Sequence, residues 1–278
     1  MRTLCLVLLL PALGAAAEPP RRVASLNLAA DEVLVEILPP ERLVGVTRWA
    51  DDPPSSNVAG RVPGHAHRFA KADFEQLVAL RPDLVVVSEY TDADVLALIE
   101  RSGLRYHRMR GLGSLAGLRA AILELGRAVG AELAAARLVT RYDATLAEVR
   151  RRLEGAPSPR VLYWSSGMTA GADTAIGALI ECAGGVNVGR ELGVAGISPP
   201  GAERAFVADP DLMLVGNWPR AVESLKQHPL LRQLRAVRED RIVVMPNQLL
   251  VVLSHYAADA CWWLAHALHP ARVERPRP

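Results

Sequence analysis

The chain has 278 residues, about half of them apolar, which is enough for one large domain or two small ones with real cores. Its 32 basic and 30 acidic residues nearly cancel to a net +2, and no basic run stands out, so nucleic acid is not an expected partner. Past the N-terminus no stretch reaches the roughly 18 unbroken apolar residues of a membrane span, so the mature protein is expected to be soluble.

The chain opens with MRTLCLVLLLPALGAAAEPP: one Arg, an apolar run from Leu4 to Leu10, then small residues. Residues 1–17 therefore read as a signal peptide cleaved after Ala15-Ala16-Ala17; the alternative, a retained anchor, needs a longer apolar run. Cys5 would leave with the leader. That leaves Cys182 and Cys261 in an oxidising compartment, where one disulfide can form. Two buried free thiols are the alternative, and the distance between the Cα atoms decides between them.

Val23 to Leu26 reads as a strand, Ala29 to Leu38 as a helix stopped by Pro39-Pro40, and Leu43 to Thr47 as the next strand. A turn-rich loop follows, ADDPPSSNVAGRVPGHAHRF. In FEQLVALRPDLVVV a helix, N-capped by Asp73 with Gln76 at the reciprocal position, stops at Pro82. Leu84 to Val87 is then a strand, apolar throughout as in a parallel sheet covered on both faces. Asp92 to Arg101 is helical and Arg105 to Met109 extended. From Ser114 to Leu153 strand signals vanish; Ala131 to Leu153 reads as one helix of about 34 Å, a spacer between two strand-containing regions. Beyond it come strand Val161–Trp164, helix Thr174–Cys182, the turn AGGVNV, helix Glu203–Ala208, strand Leu212–Val215, a helix near Leu230 to Val237, strand Ile242–Met245 and a closing helix from Tyr256 to Leu268. Strands alternating with helices predict an α/β fold: two Rossmann-like lobes, 18–112 and 155–278, joined by one long α-helix within 113–154.

One sentence is written twice. AERAFVADPDLMLV repeats FEQLVALRPDLVVV, with Glu75 seven residues before Pro82, Glu203 seven before Pro210, and an offset of 128 (203 − 75). A glutamate in a first helical turn is favourable anyway. Two on equivalent elements would also make a two-point docking surface for basic residues of a partner.

The usual catalytic warrants are missing. GLGSLAG has the wrong spacing for a dinucleotide loop, YWSSGM makes no nucleophile elbow, and no Walker loop or His-Glu-x-x-His occurs. His65 and His67 form a His-x-His pair that can reach one ligand or metal, or can simply be solvated. Trp49, Phe69, Tyr90, Trp164 and Trp218 follow or flank strands near their carboxyl ends, where parallel sheets bind ligands; ordinary packing is the alternative for each. Trp262 and Trp263 read as packing, and His266 and His269 as structural.

FEQLVALRPDLVVV, IECAGGVNV, AERAFVADPDLMLV and the long central helix together resemble the periplasmic substrate-binding proteins of ABC importers for cobalamin, ferric siderophores and haem, over about residues 21 to 270. The resemblance implies a monomer with a ligand clamped between two lobes. It also implies that a glutamate on each lobe, here Glu75 and Glu203, docks to arginines of the permease of an ABC permease/ATPase complex. VGVTRWADDPP resembles the segment that places an aromatic in the cleft, which supports Trp49. The loop of His65 and His67 matches a cleft-lining loop where relatives often carry an aromatic or a haem-ligating tyrosine, and Gln248 and His255 are the remaining candidate contacts. The small-molecule metal chelate is the cargo; no cofactor is expected. A direct binder of a bare transition metal and a degenerate α/β enzyme are the alternatives.

Overall fold

The computed structural model describes residues 18–70 and 74–275. The expected leader, 1–17, and the expected N-cap Asp73 lie outside the described residues. In the first lobe the chain forms β1 (Val23–Ser25), α1 (Leu28–Ile37), β2 (Leu43–Thr47), β3 (His67–Phe69), α2 (Phe74–Ala79), β4 (Leu84–Ser88), α3 (Ala93–Arg101) and β5 (Tyr106–Met109). The strands are all parallel, in the order β3-β2-β1-β4-β5. Every residue of β1, β2 and β4 is buried, as a sheet covered on both faces requires. Side-chain caps start the helices where the sequence supplies them: Asn27 accepts from the Ala30 amide, and Asp92 from the Asp94 amide. The strand order reverses between β1 and β4, which opens a crevice at their carboxyl ends.

Two antiparallel-packing helices follow, α4 (Leu115–Ala128) and α5 (Glu132–Arg152). Gly130 turns the chain between them at φ +63°, with Pro19 where a Cβ would stand, so only glycine fits without strain. The 21 residues of α5 span about 31 Å at 1.5 Å per residue. The expected spacer is more than a strut. Its face of Ala135, Leu138, Val139, Tyr142 and Val149 is buried in a core that runs from the first lobe into the second.

The second lobe contains β6 (Arg160–Tyr163), β7 (Thr169–Ala170), α6 (Ala175–Cys182), β8 (Val186–Asn187), α7 (Val188–Glu191), β9 (Ile197–Ser198), α8 (Ala202–Ala208), β10 (Leu212–Gly216), α9 (Ala221–Gln227), α10 (Arg235–Arg238), β11 (Ile242–Met245), α11 (Asn247–Leu250) and α12 (Ala257–Leu268). Its main sheet is parallel in the order β11-β10-β6-β8, with β7 and β9 as a small antiparallel ribbon. Helix α12 packs on both α5 and α6. A disulfide joins Cys182 of α6 to Cys261 of α12, with the Cα atoms 5.9 Å apart. The helix expected near Leu230 to Val237 is instead a short 3-10 turn, Leu231–Gln233, followed by α10, and α9 precedes it.

The duplicated sentence folds into duplicated geometry. The Asp83 carboxylate, just after Pro82, accepts from the Arg22 amide at 2.9 Å, and the Asp211 carboxylate, just after Pro210, accepts from the Arg160 amide at 3.0 Å. Each of these arginines enters the first strand of its lobe. The Arg22 guanidinium donates to the carbonyls of Leu80 and Arg81, and that of Arg160 to those of Ala208 and Asp209. Carbonyls at and just past the C-terminal ends of α2 and α8, where the helical pattern leaves them without partners, are thereby satisfied. Arg81 and Asp209 share the same left-handed backbone, φ +46° and +38°. Both helices are thus pinned by their C-terminal ends to the amino edge of a sheet. Glu75 and Glu203 stand in their first turns.

Candidate functional site

The two lobes meet over the carboxyl ends of their strands and leave a cleft there. Its inner pocket, about 120 Å³, is framed by Asn27, Glu32 and Ser88 of the first lobe and by Gln248, Val251 and Leu253 of the second. Asn27 and Ser88 stand at the ends of β1 and β4, the point where the strand order reverses. A wider recess of about 420 Å³ lies beside it, lined by Glu89, Tyr90, Gly111, Ser114 and Asp173. The Glu89 carboxylate accepts from the amides of Gly111 and Leu112 and so fixes the chain that leads from β5 into α4.

That recess is closed at one end by a second internal repeat. Gly-x-x-Ser-x-x-Gly at 111–117 and Gly-x-x-Thr-x-x-Gly at 171–177 cap α4 and α6: Ser114 Oγ accepts from the Gly117 amide at 3.1 Å, and Thr174 Oγ1 from the Gly177 amide at 3.0 Å. The two caps touch across the lobes. A Cβ on Gly113 would lie 2.5 Å from the Asp173 carbonyl oxygen, so glycine is what permits the contact.

The aromatic candidates divide. Trp49 follows β2 with nearly half its surface exposed, the Arg48 guanidinium 4.5 Å from the centre of its ring. Tyr90 follows β4, is 63% exposed and lines the recess. Phe69 and Trp164 correct the expectation. Phe69 packs in the first-lobe core with Leu77 and Val85, and Trp164 in the second-lobe core with Leu162 and Val215. Neither lines the cleft. Both belong to segments covered on two sides, so nearness to a strand end did not aim them outward. Trp218 follows β10 half-buried against the core, and its buried Nε1 has no hydrogen-bond partner among the described residues.

His65 is exposed, while His67 lies in β3 with its ring edge-on to Phe69 at 4.9 Å. Among the described residues no group of three or more His, Cys, Asp or Glu side chains is placed to hold a metal ion. Gln248 lines the inner pocket, and its backbone carbonyl accepts from the Asn57 amide group at 2.9 Å. His255 is a correction. It is buried beside Tyr256, ring centres 4.0 Å apart, in the seam between the lobes and not on the pocket wall. Burial pushes its imidazole down to about 4, against the pull of Glu36 at 4.0 Å.

That seam is built from residues the sequence reading passed over. In α1 the apolar run LAADEVLVEI buries two carboxylates, Asp31 and Glu32. Asp31 accepts from the Thr47 amide at 3.0 Å and its hydroxyl at 2.6 Å, which ties α1 to the end of β2 where Trp49 begins. Burial pushes its carboxyl up to about 7, and the bonds from Thr47 and Ser25 offset only part of that. Glu36 is subject to the same burial. Hydrogen bonds from Arg61 and Tyr256 outweigh it and hold the carboxyl below its ordinary value.

Fold and site together define a two-lobe solute-binding protein, with its ligand cleft at the carboxyl ends of two parallel sheets. The family model described as periplasmic binding protein matches residues 23–249, and the chain belongs to that family. A cobalamin-binding protein of Halobacterium salinarum (strain ATCC 29341 / DSM 671 / R1) is 30% identical over 208 residues, 71% of this chain and 54% of that protein. The chain thus spans about half the length of the curated relatives it matches. The periplasmic heme-binding protein RhuT from Roseiflexus sp. RS-1, in apo form, superposes with TM-score 0.76 at 25% identity over 91% of this chain and 99% of that one. BhuT, a periplasmic heme-binding protein in complex with two hemes, gives 0.75 at 25% identity over 91% and 99%. The family and these neighbours are substrate-binding proteins, not enzymes.

Proposed function

We propose that this protein is the extracytoplasmic solute-binding component of an ABC importer, that it captures a metal chelate in the interlobe cleft, and that it delivers the chelate to the permease through Glu75 and Glu203. The observation that carries the reading is the cleft itself, open at the carboxyl ends of both sheets with Trp49 and Tyr90 exposed at those strand ends. The inner pocket alone is smaller than the roughly 300–1,000 Å³ of typical small-molecule sites. A macrocycle would seat one edge there and lay its faces against the aromatics toward the mouth. Cobalamin and haem are the chelates favoured by the relatives, and a ferric siderophore is the third candidate. The disulfide supports export to an oxidising compartment.

Capture follows from burial of apolar ligand surface between the lobes, with Asn27, Ser88 and Gln248 fixing orientation. The permease would then part the lobes by holding α2 and α8, each pinned to its sheet by an Arg–Asp pair. The test is native mass spectrometry and absorbance of protein drawn from its own compartment, followed by titration with cyanocobalamin, haemin and a ferric siderophore. A corrin or Soret band at one ligand per chain is expected. A colourless protein holding one bare metal ion, and failing to bind all three probes, would overturn the reading.

A further inference from the structure

The seam beside the inner pocket carries an inference about how the cleft is held, and it rests on the binding reading above. Glu32 projects from α1 into the wall of the pocket with 2% of its surface exposed, and both of its oxygens are used. Oε1 accepts from the Asn57 amide at 2.8 Å and from the Asn57 side chain at 2.9 Å; Oε2 accepts from the Ser254 hydroxyl at 2.5 Å. The Asn57 side chain also donates to the Gln248 carbonyl at 2.9 Å. One carboxylate thereby joins α1, the loop after β2 and the segment between α11 and α12, across 222 residues of sequence. A second layer stands outside it, where Arg61 pairs with Glu36 at 2.5 Å and donates to Tyr256 Oη, which in turn donates to Glu36.

We propose that Glu32 is the latch of the cleft: a positioning residue that holds the two lobes at capture width by bonding Asn57 on one side and Ser254 on the other. The geometry favours it over Glu36. The Glu32 contacts are buried and border the pocket, whereas the Arg61 guanidinium is half exposed and its ion pair is screened by solvent. A buried carboxylate with three donors cannot be deleted cheaply, because each donor is left dry and unpaired. A glutamine can replace it, since its carbonyl accepts from Asn57 while its amide donates to Ser254 Oγ. The latch is therefore a matter of hydrogen bonding and shape, and charge at this position is dispensable.

The experiment places spin labels on Arg101→Cys in α3 and Arg238→Cys at the end of α10, both exposed, in the full chain, and reads the interlobe distance without ligand. Cyanocobalamin and haemin affinities are measured alongside. One narrow distance is expected for the parent and for Glu32→Gln, and a broader, longer distribution for Glu32→Ala. The affinity of Glu32→Ala for whichever probe binds is expected to fall about tenfold, with Glu32→Gln restoring it to within about threefold. Ser254→Ala keeps α1 and its bond to the Asn57 loop and removes only the second-lobe partner, so it remains a fair test if Glu32→Ala fails to fold. It too should broaden the distribution. An unchanged distribution in folded Ser254→Ala or Glu32→Ala overturns the latch, as does a Glu32→Gln variant as loose as the alanine. Failure of the parent to bind both probes would count against cobalamin and haem as the cargo and not against the latch, because the unliganded distances still decide the latch.

Discussion

The disulfide between α6 and α12 offers the most quantitative test of how the second lobe is held. Cys182 and Cys261 are 79 residues apart, and the loop they close contains β8, β9, β10, β11 and the helices among them. Cross-linking removes closure entropy from the unfolded chain of about 2.1 + 1.5R ln n cal/mol/K, which for this loop is near 15 cal/mol/K, or about 4.5 kcal/mol at 25 °C. Measured values commonly fall to about 2–4 kcal/mol. Cys182→Ala/Cys261→Ala should therefore lower the free energy of unfolding by about 2–5 kcal/mol, including the small cavity left at the fully buried Cys261. The assay is urea unfolding at equilibrium without reductant, with dithiothreitol-treated parent as a second route to the same open chain. Ligand affinity should stay within about twofold, because neither cysteine borders the inner pocket or the recess beside it. A loss under 1 kcal/mol by both routes would mean the unfolded chain is already restrained, and the loop-entropy reasoning would fail.

Further expectations concern docking, ligand contact and pH. Reversing both docking charges, Glu75→Lys with Glu203→Lys, should abolish uptake in a reconstituted importer and leave probe affinity unchanged; normal uptake refutes the docking role. Trp49→Ala and Tyr90→Ala should each weaken binding of the preferred chelate about tenfold by calorimetry, while Phe69→Ala and Trp164→Ala should act mainly by lowering the melting temperature. Asp31 makes stability depend on pH. Its carboxyl stands near 7 folded and 3.8 in its ordinary state, so the native protein holds the proton more tightly and stability is lost as pH rises from about 4 through 7. At about 1.36 kcal/mol per unit the loss is at most between about 4 and 5 kcal/mol. Asp31→Asn should flatten that decline and be more stable than the parent at pH 8. His255, held near 4, works in the opposite sense between about 4 and 6.5, so the comparison is made variant against parent at each pH.

Much of the fold is legible in the chain because Pro-Asp and Gly-rich punctuation separates long apolar runs, and both lobes and the long helix follow from it. The strands that escape, β3, β7, β8 and β9, have two or three residues each, too few to show a period. Helix α9 escapes because Arg220, at φ +65°, starts it without a capping side chain. The cleft is less legible. Aromatics follow several strand ends, but in a sheet covered on both faces the pleat does not say which ring turns outward, and Phe69 and Trp164 turn in. Glu32 did leave a trace, a carboxylate on the buried face of an apolar helix. Its meaning depends on Ser254, 222 residues away, which only the tertiary structure brings near.

The distribution of apolar and polar contacts between the lobes indicates which motions the molecule can make. Along α5 the core is continuous from one lobe to the other, so separating them there would expose Leu138, Tyr142 and their neighbours to water. Near the inner pocket the hydrogen bonds centred on Glu32 run beside buried apolar residues such as Val58 and Val252, and water can replace the hydrogen bonds once they open. The Gly113–Asp173 contact is backbone against backbone and leaves little room for sliding. The least costly displacement is therefore a small rotation that opens the polar seam and keeps the apolar spine intact. In the proposed docking, Glu75 and Glu203 each stand on a helix whose C-terminal end is tied to its own sheet. A permease that spreads the two helices would load the Glu32 seam before anything else, so release should accelerate in a variant whose seam is already broken.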